Sequence, residues 1–502
     1  MENILSYLIM LFTLENIVIL SIGTFIGIIF GALPGFTASM GVAILIPVTF
    51  NMDPLLGLLL LAGLYNGAVY GGSITAILVH VPGTPSSAAT AKDGFAMTRK
   101  GQADIALGMA VTASVFGGMF SAIVLLVVAP ALAIFALRFG PPEYCLVAIL
   151  GLTMIASLGE GNFLKGIISG LIGLVISLIG LDPVFAFPRF TFNIIHLMDG
   201  VSFIPALIGL FALSQVVIMS ETDEAIVDEQ SDAFLKKRKS VFILPHTKPL
   251  IKTIIRSSII GTFIGMLPGT GTSIASFVGY NEAKRASKHP ESFGKGEIEG
   301  VAAAEAANNA VTGGSLIPTL TLGIPGNSLT AILLGGLMIQ GLRPGFELFD
   351  KFGYITYPFI LGLFFSNIIM FFMGTFLSYI FAKVVKINKS ILMVGICVFT
   401  VIGAYAINRS IFDLWTLLIF GIIGYVFRKM DFSIVAVVLG LILGPIIESG
   451  FKQSMLINHN NLIQLVLYAI KRPISIILII IILLSIITQF INARKLIKKI
   501  IK

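Results

Sequence analysis

Apolar runs long enough to cross a bilayer recur along the whole chain, from Ile17 to the stretch that ends before Arg494. A hydrocarbon core of ~30 Å takes about 20 helical residues, so each run predicts a helix that closes its own backbone hydrogen bonds. The pattern gives an all-α polytopic membrane protein of about 10–12 membrane segments. The largest polar interruption, Glu221 to Arg256, opens acidic (Glu221, Asp223, Glu224, Asp228, Glu229, Asp232) and turns basic (Lys236, Lys237, Arg238, Lys239, Lys248, Lys252, Arg256). Such charge blocks solvate rather than pack. The chain divides into a first membrane repeat with following spans (1–220), a charged cytoplasmic linker (221–256), a second membrane repeat (257–382), and C-terminal spans with a basic tail (383–502).

The repeat is legible in two strings that occur twice in the same order. Gly31-Ala-Leu-Pro-Gly35 returns as Gly265-Met-Leu-Pro-Gly269, and NGAVYGGS from Asn66 returns as NNAVTGGS from Asn308, identical at six of eight positions. A further Pro-Gly pair follows each, Pro82-Gly83 and Pro325-Gly326. One such string would be ordinary helix packing, whereas an ordered set found twice marks a duplicated unit. Basic residues favour the cytoplasmic side, which puts the loop with Lys92, Arg99 and Lys100 inside. The equivalent loop, Arg343 to Lys351, falls outside in the same count. Opposite sidedness predicts two inverted repeats, an architecture of secondary transporters.

Proline removes a backbone donor and glycine loosens the helix, so Pro34-Gly35, Pro82-Gly83, Pro268-Gly269 and Pro325-Gly326 predict broken or re-entrant helices. Free backbone groups at membrane depth persist only where they line a cavity or bind something. Small polar residues follow each break: Thr37 and Ser39; Thr84, Ser86 and Ser87; Thr270, Thr272 and Ser273; Asn327, Ser328 and Thr330. Helices starting there would aim their positive ends at an anionic carboxylate. The duplicated Asn66 and Asn308, with Ser73 and Ser315 in the same strings, join this candidate substrate site, because a buried unpaired amide is costly. Glu305, Asn308 and Asn309 share one helical face. An ionised glutamate at bilayer depth costs about 3 kcal/mol, so this trio is the candidate site for a coupling cation, sodium or a proton. No arginine or lysine lies in the segments after the breaks before Lys92, which assigns substrate carboxylates to backbone N–H groups and to Thr84, Ser86, Thr272, Ser273 and Ser328, with co-bound cations neutralising the rest.

Composition narrows the classes. Only 12% of the 502 residues are charged, against roughly 25% in soluble domains, and the mean hydropathy is +1.00. The formal charge of +8 belongs to short loops and the tail, not to an aromatic-basic module, so nucleic acid is not a partner. Cys145 and Cys397 sit in apolar runs and offer no disulfide framework. The five histidines, His80, His196, His246, His289 and His459, lack metal-ligand spacing. Glu160, Asp182, Asp199 and Glu448 each neighbour glycine or proline and are expected at span ends. Gly23, Gly27 and Gly31, spaced by four, predict a helix-packing face.

The runs GALPGFTASMGVAILIPVTF, YGGSITAILVHVPGTPSSAATAKDGFAMTRKG and EAANNAVTGGSLIPTLTLGIPGNSLTAILLGGLMIQGLRPG resemble the signature regions of the large TctA-type membrane subunit of tripartite tricarboxylate transporters. The resemblance covers nearly the whole chain. It implies a multi-pass permease of the bacterial inner membrane, with no cofactor and no enzymatic activity. It also implies a small TctB-type membrane subunit and a TctC-type periplasmic solute-binding protein as partners, citrate-like di- or tricarboxylates as substrates, and symport driven by a cation gradient. His80 and Phe36 stand where that family pattern suggests smaller or more neutral residues. A stand-alone cation-coupled carrier for another organic anion is the alternative.

Overall fold

The computed structural model describes residues 2–33, 36–156, 163–221, 247–269, 271–378, 380–381 and 389–500. Pro34, Gly35, Thr270, Glu160, His246, most of the charged linker and the basic residues Lys383 and Lys386 lie outside the described residues.

Helices carry nearly all of the described chain. In order they are α1 (Glu2–Leu11), α2 (Leu14–Ala32), α3 (Ala38–Thr49), α4 (Pro54–Val79), α5 (Ala88–Arg99), α6 (Ala103–Ala136), α7 (Pro141–Ala156), α8 (Phe163–Ser177) and α9 (Phe203–Glu221). After the linker come α10 (Ile251–Met266), α11 (Gly271–Ala286), α12 (Ile298–Leu322), α13 (Ser328–Ile339) and α14 (Gly353–Phe376). The chain then runs through α15 (Lys389–Asn408), α16 (Ile411–Lys429), α17 (Ile434–Ile457), α18 (Leu462–Ile470) and α19 (Pro473–Ile500). Among the described residues nine helices are long and apolar enough to cross a membrane, or ten if α18 and α19, bent by 98° about Lys471 and Arg472, form one broken span. α3 and α13, with 12 residues each, are too short to cross.

The longer helices of the two repeats match in order, α2–α3–α4–α5–α6 against α10–α11–α12–α13–α14, and the second repeat adds a short helix, Phe346–Asp350. Even the break geometry repeats. Leu33 leaves α2 at φ −80°, ψ 116°, and Leu267 leaves α10 at φ −80°, ψ 115°. At the second break His80 caps α4 and Gly323 caps α12, both left-handed, at φ 58° and 70°. Histidine occupies a conformation that glycine adopts without penalty, and its ring packs on Phe95 with centroids 4.6 Å apart.

Three contacts fix the relative direction of the central helices. Ser73 meets Glu305 at 2.6 Å, Val69 meets Asn308 at 3.3 Å, and Tyr65 meets Ser315 at 2.9 Å. As numbering falls along α4 it rises along α12, so these equivalent helices run antiparallel. That is the signature of inverted repeats. Both are buried along almost their whole length, and in α12 that burial includes a carboxylate and two adjacent amides. Close approach depends on glycine. A methyl group on Gly23, Gly27 or Gly31 would lie 2.2–2.4 Å from the carbonyl oxygens of Leu60, Leu64 and Ala68 on α4, which makes the expected small-residue face a backbone-to-backbone seam. Gly261 of α10 packs in the same way on Ala307 of α12.

Away from the repeats, a two-stranded hairpin pairs Gly180 with Arg189 and Leu181 with Pro188. Asp182 and Arg189 of this hairpin join Glu448 and Lys452 of α17 in one charge cluster. Glu448 lies within α17, and the cluster sets two carboxylates against two cations.

Candidate functional site

The four segments that follow the breaks meet at one cavity of about 730 Å³. Its wall includes Thr37 and Ser39, Thr84 and Ser86, Gly269, Thr272 and Ser273, and Asn327 and Ser328. The repeats interlock across it: the Ser39 and Ser328 hydroxyls share a hydrogen bond of 2.9 Å, and α11 packs on the turn at Pro85–Ser87. Within each repeat the two breaks touch. A methyl on Gly83 would fall 2.1 Å from the Gly31 carbonyl oxygen, and one on Gly326 would fall 2.8 Å from that of Gly265. Glycine at these positions lets one broken span rest on the other.

Helix starts surround the cavity. Thr37 caps α3 by accepting from Met40 N at 3.2 Å, Asn327 caps α13 by accepting from Thr330 N at 2.9 Å, and Ser433 caps α17 by accepting from Ala436 N at 3.2 Å. α11 starts at Gly271, and Thr84 precedes the turn into α5. Each start presents a partial positive charge. The far wall comes from outside the repeats: Phe211, Gln215 and Ile218 of α9, then Arg428 and Asp431 at the end of α16. Residues Gly209–Leu213 form a π-helical turn within α9, a local irregularity that often accompanies functional sites. Arg428 is the one cation of the described lining, and its Nε donates to Ser214 at 3.2 Å. The sequence reading, confined to the breaks, supplied the cavity with no arginine; the tertiary fold brings one from α16.

Behind the cavity Ser73, Asn308 and Ser315 lie along the contact of α4 with α12. Pro325, Gly326, Ser73 and Ser315 are buried, and Pro82 and Pro268 are partly so. Ser315 bonds Tyr65, and Asn327 Nδ2 donates to both, at 2.9 Å to Tyr65 and 3.2 Å to Ser315. Ser73, Asn66 and Asn308 do not line the cavity. Ser73 instead donates to Glu305, whose fully buried carboxylate also accepts from Thr90 and, at 2.8 Å, from Ser114. Three hydroxyls of the first repeat thus enclose a carboxylate of the second. Asn66 donates to the Leu363 carbonyl at 2.9 Å and to Ser366 at 2.7 Å. Asn309 is fully buried, and neither of its amide atoms has a partner.

Sequence reasoning missed Thr90, Ser114, Tyr65, Asn367 and Arg428. Asn367 carried a readable signal, a lone amide in the apolar run FFSNIIMFF, since a buried amide needs a partner. Asp93 has a framework role. Its Oδ1 accepts from the N–H groups of Gly294, Gly296 and Glu297 at 2.7–2.8 Å, and its Oδ2 from the Tyr280 hydroxyl at 2.8 Å. That clamp sets the start of α12 and hence the height of Glu305.

The arrangement holds a polar, hydroxyl-lined chamber and a sealed carboxylate on α12, and among the described residues no group of histidine, cysteine and carboxylates could hold a metal ion. The "Uncharacterized 52.8 kDa protein in TAR-I ttuC' 3'region" of Agrobacterium vitis is 36% identical over 449 residues, covering 89% of this chain and 88% of that protein. The "Uncharacterized protein in TAR-II ttuC' 3'region" of the same organism is 35% identical over 201 residues, 40% of this chain and 83% of that protein. No solved structure matches. The family model of the tripartite tricarboxylate transporter TctA family matches residues 17–439, and with the duplicated broken spans inside that range, the chain belongs to this transporter family.

Proposed function

We propose that this multi-pass membrane protein is the permease subunit that imports small di- or tricarboxylates across the bacterial inner membrane. In this reading a periplasmic binding protein of the TctC type delivers substrate, a small TctB-type membrane subunit accompanies the permease, and a sodium or proton gradient drives the step. One observation carries it: the cavity where the four post-break segments converge, lined by hydroxyls and ringed by helix starts. Carboxylate oxygens would accept from Ser39, Thr84, Ser86, Thr272, Ser273 and Ser328 and from the N–H groups of those helix starts. Arg428 would take a second carboxylate group, which the hydroxyls alone leave uncompensated. Glu305 and its neighbouring amides would hold the coupling ion. Antiparallel halves joined at a central site suit alternating access, in which one unit rocks against the other.

The experiment is uptake of a panel of labelled mono-, di- and tricarboxylates into proteoliposomes, with and without a sodium gradient, a proton gradient and the cognate binding protein. Gradient-driven accumulation of di- or tricarboxylates is the expected result. Flux that ignores both gradients would point to a channel, and no carboxylate flux under any condition would sink the reading.

A further inference from the structure

Ten buried side-chain polar atoms among the described residues have no hydrogen-bond partner, and five of them belong to four asparagines: Asn66 Oδ1, Asn308 Oδ1, Asn367 Oδ1 and both amide atoms of Asn309. An orphaned buried polar group carries a desolvation penalty that nothing offsets, so five together need a common explanation. All four side chains are fully enclosed.

They also converge. Asn66 and Asn367 donate to the same carbonyl, that of Leu363, at 2.9 and 2.7 Å, which makes the two amides neighbours. Asn308 donates to Val69 O at 3.3 Å, one turn along α4 from Asn66. A methyl on Gly118 would lie 2.1 Å from Asn367 Oδ1, so that oxygen faces α6. Along the same helix Gly117 packs on the Ala306 carbonyl, and Ser121 Oγ accepts from Gly313 N. Gly118 therefore stands level with the part of α12 that carries Asn308 and Asn309.

The orientation of three of these amides follows from chemistry. Each Nδ2 faces a carbonyl and must donate, so each Oδ1 points the other way with nothing to accept. Neutral oxygens that find no donor can replace the hydration shell of a monovalent cation, whereas calcium or magnesium would call for several carboxylates. We propose that Asn66, Asn308, Asn309 and Asn367 hold one dehydrated sodium ion between α4, α12 and α14, beside the Gly117–Gly118 segment of α6 that packs against both α12 and α14, with Glu305, one helical turn before Asn308 and Asn309, supplying the balancing charge. The inference rests on the transport reading above, and it names the coupling ion and its ligands. Asn367, outside both duplicated strings, completes the set.

The test is binding of radioactive sodium to the purified full-length chain in detergent, without carboxylate, by scintillation proximity. Unlabelled sodium and choline at matched ionic strength serve as competitors. The expected result is saturable binding displaced by sodium and not by choline. Asn309→Ala and Asn367→Ala should each weaken it by about tenfold or more, ~1.4 kcal/mol, while Asn367→Asp, which keeps an oxygen in place, should retain it. Unfolding midpoints in choline identify which variants are folded; removing the Asn309 amide, which has no partner on either atom, should leave the sodium-free midpoint unchanged or raised. No saturable sodium binding by the unaltered protein, or undiminished binding by both folded alanine variants, overturns the site. Carboxylate uptake on a proton gradient alone by a protein that binds no sodium would overturn the site and leave the transport reading standing. Sodium binding without carboxylate uptake under any gradient would do the reverse.

Discussion

Glu305 separates packing from charge, because two substitutions remove different things. Leucine removes the acceptor for Ser73, Thr90 and Ser114 in a place sealed from water. Each orphaned hydroxyl costs about 1–3 kcal/mol, and rotation onto a carbonyl of its own helix recovers part of that. The net expectation is a loss of roughly 3–5 kcal/mol, a large share of the ~5–15 kcal/mol typical of a folded protein. Glutamine keeps the shape and one oxygen, and its amide can donate to a hydroxyl, which is also an acceptor; its cost should be about 1 kcal/mol. Thermal unfolding in detergent should therefore rank Glu305→Leu far below Glu305→Gln, with the latter near the unaltered protein. Carboxylate uptake by Glu305→Gln in proteoliposomes should then lose its dependence on the ion gradient, since only the charge is missing. If the leucine variant unfolds at the unaltered temperature, the hydroxyl cage is not held by this carboxylate. If the glutamine variant keeps the same sodium dependence and affinity, Glu305 is not the charge that couples.

Gly83→Ala should lower the unfolding temperature and abolish uptake, because the new methyl would sit 2.1 Å from a backbone oxygen and overpacking of this kind costs about 1–3 kcal/mol or more. Gly395→Ala, with open space around it, is the matched control and should be neutral or stabilising in the same melt. Arg428→Gln should weaken dicarboxylates by about ten- to a hundredfold relative to monocarboxylates, the worth of one charge-assisted contact; equal loss for both classes in competition uptake would remove the residue from substrate recognition. Asp182 is held below the ordinary carboxylate range by the Lys452 ammonium and then by backbone N–H donors. A depressed value means that its contribution is complete above the unfolded value of about 3.9 and fades as pH falls toward the folded one. Protection of the hairpin 180–189 against hydrogen exchange, corrected for the intrinsic pH dependence of the exchange rate, should thus be flat from neutral pH down to about 4 and fall only below it; loss of protection already near pH 6 would contradict the assignment.

What could be read from the sequence was whatever is local and duplicated. The breaks at Leu-Pro-Gly and Pro-Gly are properties of a few adjacent residues, so Thr37, Ser39, Thr84, Ser86, Thr272, Ser273 and Ser328 could be placed around one cavity before any fold was known. Inversion was legible through the loop charges, and the antiparallel contacts of α4 and α12 agree with it. The hydroxyls around Glu305 were not legible. Ser73 and Ser114 are small residues in apolar helices and Thr90 lies in the mixed helix α5; serine and threonine in helices commonly bond their own backbone, and only tertiary packing turns these three toward one carboxylate. Arg428 escaped for a similar reason: beside Lys429 at the end of a span it reads as a topology signal, and its place at the cavity depends on how α16 packs against α9. Asp93 illustrates the limit from the other side, since its partners lie some two hundred residues away in the loop before α12.

The cross-repeat contacts also set the order in which the protein can be made. Ser73, Thr90 and Ser114 leave the ribosome well before Glu305, with the whole charged linker still to come. Until the second repeat is made, these hydroxyls have no carboxylate to meet and α4 has no α12 to cover it. Neither half is a finished membrane domain. Assembly of the crossing therefore waits for the second repeat, and a chain truncated in the linker would present an exposed polar seam.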